Sequence, residues 1–251
     1  MGTQEIINAI NKYSKEDKTA FNLKAIFFDM DGVLFNSMPL HADAWLKTFS
    51  DYGLILPEHE PYMNEGSTAV YTIDKMYRKY QNRTVAPEVI EEIKQDKHSY
   101  MASLPKPGII ENMPEFVNYI AANNLDRWVV TGSAQHNLIN RINTEYNDNF
   151  DRDKMVTAHD VKIGKPNPEP YLMALKKSGY QTNEAIVIEN APLGVESAKA
   201  AGLFTIAINT GPLSPDVLRN AGADIVLDDS VSLFNMREVL INTMQACITT
   251  P

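Results

Sequence analysis

Cysteine is almost absent: Cys247 is the only one in 251 residues, so no intramolecular disulfide can form. A chain of this kind is compatible with a reducing compartment. Cys247 lies in an apolar-patterned C-terminal segment and reads as a small packing residue rather than a nucleophile. Long apolar runs are missing too. No stretch approaches the roughly 20 residues of a membrane helix, and Met1 to Lys18 lacks the apolar core of a signal peptide. A soluble, cytoplasmic protein that does not engage membranes is expected. Cations are in deficit, with 23 Lys and Arg against 32 Asp and Glu and a formal charge of -9. That balance argues against sequence-independent nucleic-acid binding, which needs clustered cations on phosphates. It leaves room for a small basic pocket. Internal repeats and low-complexity tracts are also absent.

What is present suits a sizeable core. The chain is 44% hydrophobic, enough for one large domain with a smaller insert. Leu23 to Phe28 is short, apolar and followed by Asp and Gly, the pattern of a buried strand. Trp128 to Val130, Ala185 to Ile188, Phe204 to Ile208 and Asp224 to Leu227 repeat it. Helical patterns fall between them, over Glu111 to Ala122, Gln135 to Asn143, Pro168 to Ser178 and Leu193 to Ala201. Gly179, Gly202 and Gly222 sit where helix C-terminal glycines belong. Strands alternating with helices imply an α/β fold, a doubly wound parallel sheet of Rossmann-like type.

Residues 39–106 break the rhythm, with no convincing buried strand. Ala69, Val70, Ile73, Met76, Tyr77 and Tyr80 follow helical spacing there. The stretch reads as an all-helical insert between the two parts of the core, 21–38 and 107–251. Residues 1–20 carry Ile6, Ile7, Ile10 and Tyr13, a short amphipathic helix expected to be an N-terminal appendage.

The chemistry-bearing residues cluster at strand ends. Asp29 and Asp31 follow the first strand, and residues two apart project to one side of an extended chain. In open α/β sheets, ligands bind at the carboxyl ends of strands. Two adjacent carboxylates need a cation or a shared proton. Magnesium suits such an oxygen set where phosphate is the substrate. A simple acidic turn that caps a helix is the competing reading. Glu189 and Asn190 end another buried strand. With Asp29 and the Asp31 backbone carbonyl they make a metal set, although Asn190 also suits a helix cap. Thr131, Gly132 and Ser133 follow a third strand and offer a hydroxyl and backbone N–H groups to an anion, or a cap to a helix. Lys165, in a segment stiffened by Pro166, Pro168 and Pro170, is either a fixed cation beside the acids or an exposed turn residue. Lys162 competes with it and lacks the stiff frame.

Asp29-Met30-Asp31-Gly32-Val33, Thr131, Lys165 and Glu189-Asn190 resemble, in order and spacing, the four motifs of the haloacid dehalogenase superfamily. The insert after the first motif resembles the helical cap of its β-phosphoglucomutase-like subgroup. The resemblance spans about residues 23 to 240. It implies that Asp29 attacks phosphorus, forming an aspartyl-phosphate, and that Asp31 protonates the leaving alcohol and then activates water or a second hydroxyl. It also implies that Thr131 and Lys165 hold phosphate oxygens, and that magnesium is bound by Asp29, the Asp31 carbonyl, Glu189 and Asn190. Gly66, Ser67 and Thr68 match the cap's substrate loop. His41 matches a hinge histidine, though by itself it reads as a surface helix residue. The retained Asp31 implies phosphate-ester chemistry rather than dehalogenation.

Three departures matter. Asn190 stands where the mutase pattern has Asp, and Asn36 stands where it has Asp before Ser37. Ala69 and Val70 occupy the neighbourhood of an Arg that clamps a distal phosphate, with Lys75 and Arg78 the next cations downstream. A phosphatase of a small phosphorylated metabolite, such as a sugar phosphate, is therefore expected ahead of a β-phosphoglucomutase. A non-catalytic sugar-phosphate-binding protein is the third alternative. A monomer is expected.

Overall fold

The computed structural model describes residues 2–16, 20–133 and 137–246. The expected packing role of Cys247, and the start of the helix expected from Gln135, lie outside them. In chain order the elements are α1 (Thr3–Glu16), β1 (Ala25–Phe28), α2 (Met38–Asp51), α3 (Glu60–Met63), α4 (Ala69–Gln81), α5 (Pro87–Ser103), α6 (Met113–Ala122), β2 (Asp126–Val130) and α7 (Asn137–Glu145). They continue with β3 (Met155–Val156), α8 (Glu169–Ser178), β4 (Ala185–Glu189), α9 (Pro192–Ala200), β5 (Phe204–Ile208), α10 (Pro215–Asn220), β6 (Ile225–Leu227) and α11 (Ser230–Ala246). None of the described helices is long and apolar enough to cross a membrane.

The strands form one parallel sheet in the order β3-β2-β1-β4-β5-β6. Period-2 alternation feeds two cores. Ile26, Phe28, Ile186, Ile188 and Ile206 point to the face covered by α1, α6 and α11. Ala25, Phe27, Val187 and Trp128 point to the face covered by α8 and α9. Both faces are buried, which is why these strands read as unbroken apolar runs. β1 pairs with β2 on one side and β4 on the other, so the chain reverses direction of winding at β1. Such a switch point opens a crevice at the strands' carboxyl ends.

The amphipathic helix expected as an appendage is part of the core. Ile6 and Ile10 are wholly buried, and Tyr13 stacks on Phe21 at 5.2 Å and meets Phe204 edge-on at 5.2 Å. Its phenol donates to the carbonyl of Gly202. Ile10→Ala is expected to destabilise the protein by about 2–4 kcal/mol, the usual cost of a cavity at a fully buried aliphatic. Urea unfolding checks this; an unchanged midpoint would mean that the helix contributes nothing.

Helices α2 to α5 build the inserted cap around a core of its own, with Trp45, Phe49, Ile73, Met76, Tyr77 and Ile93 at its centre. The α4 stripe is narrower than its sequence implies. Val70 and Tyr80 are exposed, while Ala69, Ile73, Met76 and Tyr77 pack into the cap core. Tyr80 turns instead to Glu60, a buried carboxylate that also accepts from Lys79 and from the Asn64 amide. These bonds anchor the base of the loop that leads from Asn64 into α4.

Candidate active site

The sharp turn after β1 is held by the Met30 carbonyl, which accepts from the N–H groups of Val33, Leu34 and Phe35. Gly32 sits in it at φ +86°, and a Cβ there would lie 1.9 Å from the Asn190 amide nitrogen. Glycine is therefore required for the ends of β1 and β4 to meet. This brings Asp29, Asp31 and Asn190 together.

Lys165 links the acids. It is 1% exposed, and its three N–H donors are all used. They go to Asp29 Oδ1 at 2.6 Å, Glu189 Oε1 at 2.6 Å and the Val130 carbonyl at 3.1 Å. One ammonium thus joins the carboxyl ends of β1, β2 and β4. The flanking Asp29 and Glu189 charges outweigh its burial and hold it firmly protonated. Burial pushes the Asp29 carboxyl well above the ordinary range despite Lys165, and the nearby Glu189 and Asp31 charges push the same way. Lys162 has no such place; its backbone N–H donates to Glu169.

Glu189 differs from the expectation of a metal ligand. Its Oε1 accepts from Lys165 and from the Tyr171 hydroxyl at 2.8 Å, and its Oε2 accepts from the backbone of Asn190 and Ala191. A Cβ at Gly194 would fall 1.9 Å from this carboxylate. The arrangement makes Glu189 the partner of Lys165 and does not support a ligand role for it. The neighbouring Asn190 Oδ1 is buried with no hydrogen-bond partner among the described residues. A carbonyl oxygen left bare beside two carboxylates is a fitting donor for a hard cation. Among the described residues, however, no cluster of three or more His, Cys, Asp or Glu side chains is set to hold a metal.

Asp31 faces the cap. Its Oδ1 accepts from Ser37 Oγ at 2.5 Å and lies 3.5 Å from His41 Nε2. His41 Nδ1 is 3.0 Å from the ammonium of Lys97 on α5, which also lies over the Trp45 ring. Burial alone would raise the Asp31 carboxyl, but His41, Ser37 and Lys97 together hold it below the ordinary range. Burial lowers Lys97, partly offset by the charges of Glu65 and Asp31. Burial likewise raises the Glu65 carboxyl, against the pull of His41 and Lys97.

Thr131 is buried at the end of β2, where its hydroxyl accepts from the Ser133 N–H at 3.0 Å. The hydroxyl hydrogen can then be donated onward. Gly132 and Ser133 line the cavity. The cap loop is seated directly on them. A Cβ at Gly132 would be 2.8 Å from the Gly66 carbonyl, and one at Gly164 would be 2.6 Å from the Thr68 methyl. Ser67 and Lys165 form a backbone bridge. The hydroxyls of Ser67 and Thr68 serve the cap itself, Ser67 bonding Asn64 and Thr72 and Thr68 capping α4.

Core and cap enclose a cavity of about 450 Å³ reached by Asp29, Asp31, His41, Gly66, Ser67, Thr68, Gly132 and Ser133. That size suits a small metabolite. Its cap wall includes Trp45, Glu65, Val70, Lys94, Lys97 and His98. The sequence singled out Lys75 and Arg78 as the nearest cations, but neither lines the cavity; Arg78 pairs with Asp74 on the surface. Glu65, Lys97 and Tyr171 escaped the sequence reading. For Lys97 a signal exists, its i, i+4 spacing from the buried Ile93 on α5.

The sequence profile of haloacid dehalogenase-like hydrolases matches residues 26–208. A solved structure from Bacteroides vulgatus, described provisionally as a beta-phosphoglucomutase, is 42% identical, with a TM-score of 0.92 over 99% of this chain and 100% of that one. Glycerol-1-phosphate phosphohydrolase 1 of Saccharomyces cerevisiae is 27% identical over 227 residues, covering 85% of each chain. The phosphorylated carbohydrates phosphatase of Thermotoga maritima is 25% identical, covering 87% of this chain and all of its own length. The chain belongs to the haloacid dehalogenase-like hydrolase family. It is an enzyme of that family's phosphatase or β-phosphoglucomutase-like phosphotransferase type.

Proposed function

We propose that this enzyme is a magnesium-dependent phosphatase of a small phosphorylated metabolite, such as a sugar phosphate, acting through an aspartyl-phosphate on Asp29. The observation that carries the reading is the placement of Asp29. One of its oxygens is fixed by Lys165, and the residue opens on a cavity whose other acid is Asp31. The oxygen not bonded to Lys165 attacks phosphorus as the ester P–O bond breaks, and the departing alkoxide takes a proton from Asp31. Water then attacks the phosphoryl group, giving a proton back to the Asp31 carboxylate. Inorganic phosphate leaves and Asp29 is regenerated. Neighbouring charge holds Asp31 as a carboxylate, the form the second half needs. For the first half, the ester binds as its monoanion and passes that proton to Asp31, and the departing phosphate carries the water's proton away; His41, whose Nδ1 faces the Lys97 ammonium, orients Asp31. The Thr131 hydroxyl, with the Gly132 and Ser133 backbone, receives the phosphate oxygens, while Lys165, its three donors committed, orients Asp29 and offsets its charge. Asp29, the Asp31 carbonyl and the bare Asn190 Oδ1 would hold the magnesium. When bound, the ion offsets the charge on the transferring group.

β-Phosphoglucomutase activity is the second reading, favoured by the 42% identity to the Bacteroides vulgatus protein. Against it, the cap presents Val70 to the cavity rather than a guanidinium. Relatives named for glycerol-1-phosphate and phosphorylated carbohydrates fit the phosphatase reading. The test is a screen of sugar and polyol monophosphates with magnesium, with chelator, and with and without a sugar bisphosphate primer. Phosphate release that needs magnesium and no primer is expected. Primed interconversion of β-glucose 1-phosphate and glucose 6-phosphate without net phosphate release would replace this reading by the mutase.

A further inference from the structure

Most charged groups on the cavity wall are already committed. Lys97 bonds His41, Lys94 pairs with Glu91 at 2.6 Å, and Asp31 accepts from Ser37. Glu65 is different. It lines the cavity, half-buried, yet its carboxylate makes no hydrogen bond or salt bridge to another side chain among the described residues. The Gly66 backbone N–H and the charges of His41 and Lys97 hold the carboxylate in place, and no side-chain donor of the described residues fills its remaining acceptor sites on the cavity side, which a ligand's donors can take. Its position is fixed as well. The next residue, Gly66, has φ +81°, and its carbonyl packs on Gly132 while the Ser67 backbone bridges to Lys165. Glu65 is thereby held on the Asp31 and Lys97 side of the cavity, where the part of the substrate beyond the transferred phosphate must lie.

We infer that Glu65 is the specificity-determining residue of this site: its carboxylate accepts hydrogen bonds from hydroxyls of a neutral polyhydroxy leaving group and turns away substrates with a second phosphate. The inference rests on the phosphatase reading and names its substrate class, the monophosphate esters of sugars and polyols. An ionised carboxylate only accepts hydrogen bonds. It pairs with hydroxyl donors and repels phosphate oxygens, so a single group supplies both selection and rejection.

The experiment compares wild type, Glu65→Ala and Glu65→Gln. The substrates are the best of a set of glycerol, hexose and hexitol monophosphates, phenyl phosphate, which has no hydroxyls, and fructose 1,6-bisphosphate. For Glu65→Ala, the ratio of kcat/KM for the polyol ester to that for phenyl phosphate is expected to fall about ten- to a hundredfold, the range for hydrogen bonds to a charged group. Glu65→Gln keeps an acceptor and loses the charge. Its polyol ratio falls less, and its bisphosphate-to-monophosphate ratio rises about tenfold. Ratios within about twofold of wild type in both variants overturn the inference, as does an equal loss on every substrate. Using ratios removes any effect of misfolded protein. A wild-type enzyme that releases phosphate from none of these esters overturns the phosphatase reading beneath it. A wild type active on the esters with insensitive ratios overturns only the role of Glu65.

Discussion

Asp29→Asn is expected to lower phosphate release at least about 10⁴-fold, as removal of an attacking group does when no other can replace it. Asn is the same size and can still accept a hydrogen bond from Lys165 through its carbonyl oxygen. The substitution also removes a buried charge whose carboxyl is pushed upward by burial. The fold should therefore survive, with urea stability within about 1–2 kcal/mol of wild type. The pairing of an intact fold with lost turnover is the informative result. Retained turnover would show that Asp29 is a structural partner of Lys165 and no more.

Lys165→Met is the opposite case, because it should damage stability and chemistry together. The ammonium satisfies Asp29, Glu189 and the Val130 carbonyl at once, all in a place closed to water. Breaking a buried pair by deleting one partner leaves uncompensated charge and costs about 3–5 kcal/mol. Two carboxylates are orphaned here, so the upper part of that range is expected. The sign of the pH dependence follows. Without the cation, the Asp29 carboxyl, already raised by burial, loses the one charge that lowers it and sits further above its unfolded value, which destabilises the variant increasingly as pH rises. The deficit relative to wild type should thus be larger at pH 8 than at pH 5. Urea unfolding at the two pH values measures it, and an equal deficit at both would contradict the account. Activity should fall with it, since the same ammonium orients Asp29 and offsets its charge. Combining Lys165→Met with Asp29→Asn should cost less stability than the sum of the two, because the orphaned Asp29 charge is gone.

The parts of this molecule legible in the sequence are those with local causes. β1, β4 and β5 are buried on both faces, and so announce themselves as apolar runs ending in polar residues. β3 does not. It has two residues, Met155 and Val156, at the sheet's edge, too short for any periodicity. Helix α1 showed its apolar stripe, but a stripe does not say what covers it; Phe204, from a distant part of the chain, does, with Phe21 folded back beside it. In the site, Asp29, Asp31, Thr131, Lys165 and Asn190 were readable because strand ends and a proline-stiffened turn mark them. The division of labour between Glu189 and Asn190 was not. It depends on the Tyr171 hydroxyl and on the close approach at Gly194, neither of which has a local signature. The cap wall was hidden for the same reason. Glu65 and Lys97 become neighbours of Asp29 and Asp31 only through the seating of the cap loop on Gly132 and Gly164.

The most direct test of the account is to catch the phosphoryl group on the protein. Enzyme mixed with its best phosphate ester is quenched in acid during turnover, treated with borohydride and digested, and the peptide carrying residues 25–35 is sequenced by mass spectrometry. An acyl phosphate is reduced by borohydride to the alcohol, so the account predicts homoserine at position 29, dependent on substrate and absent from Asp29→Asn. Turnover of the same sample with Asp29 unmodified, or with the modification at Asp31 or elsewhere, would contradict it.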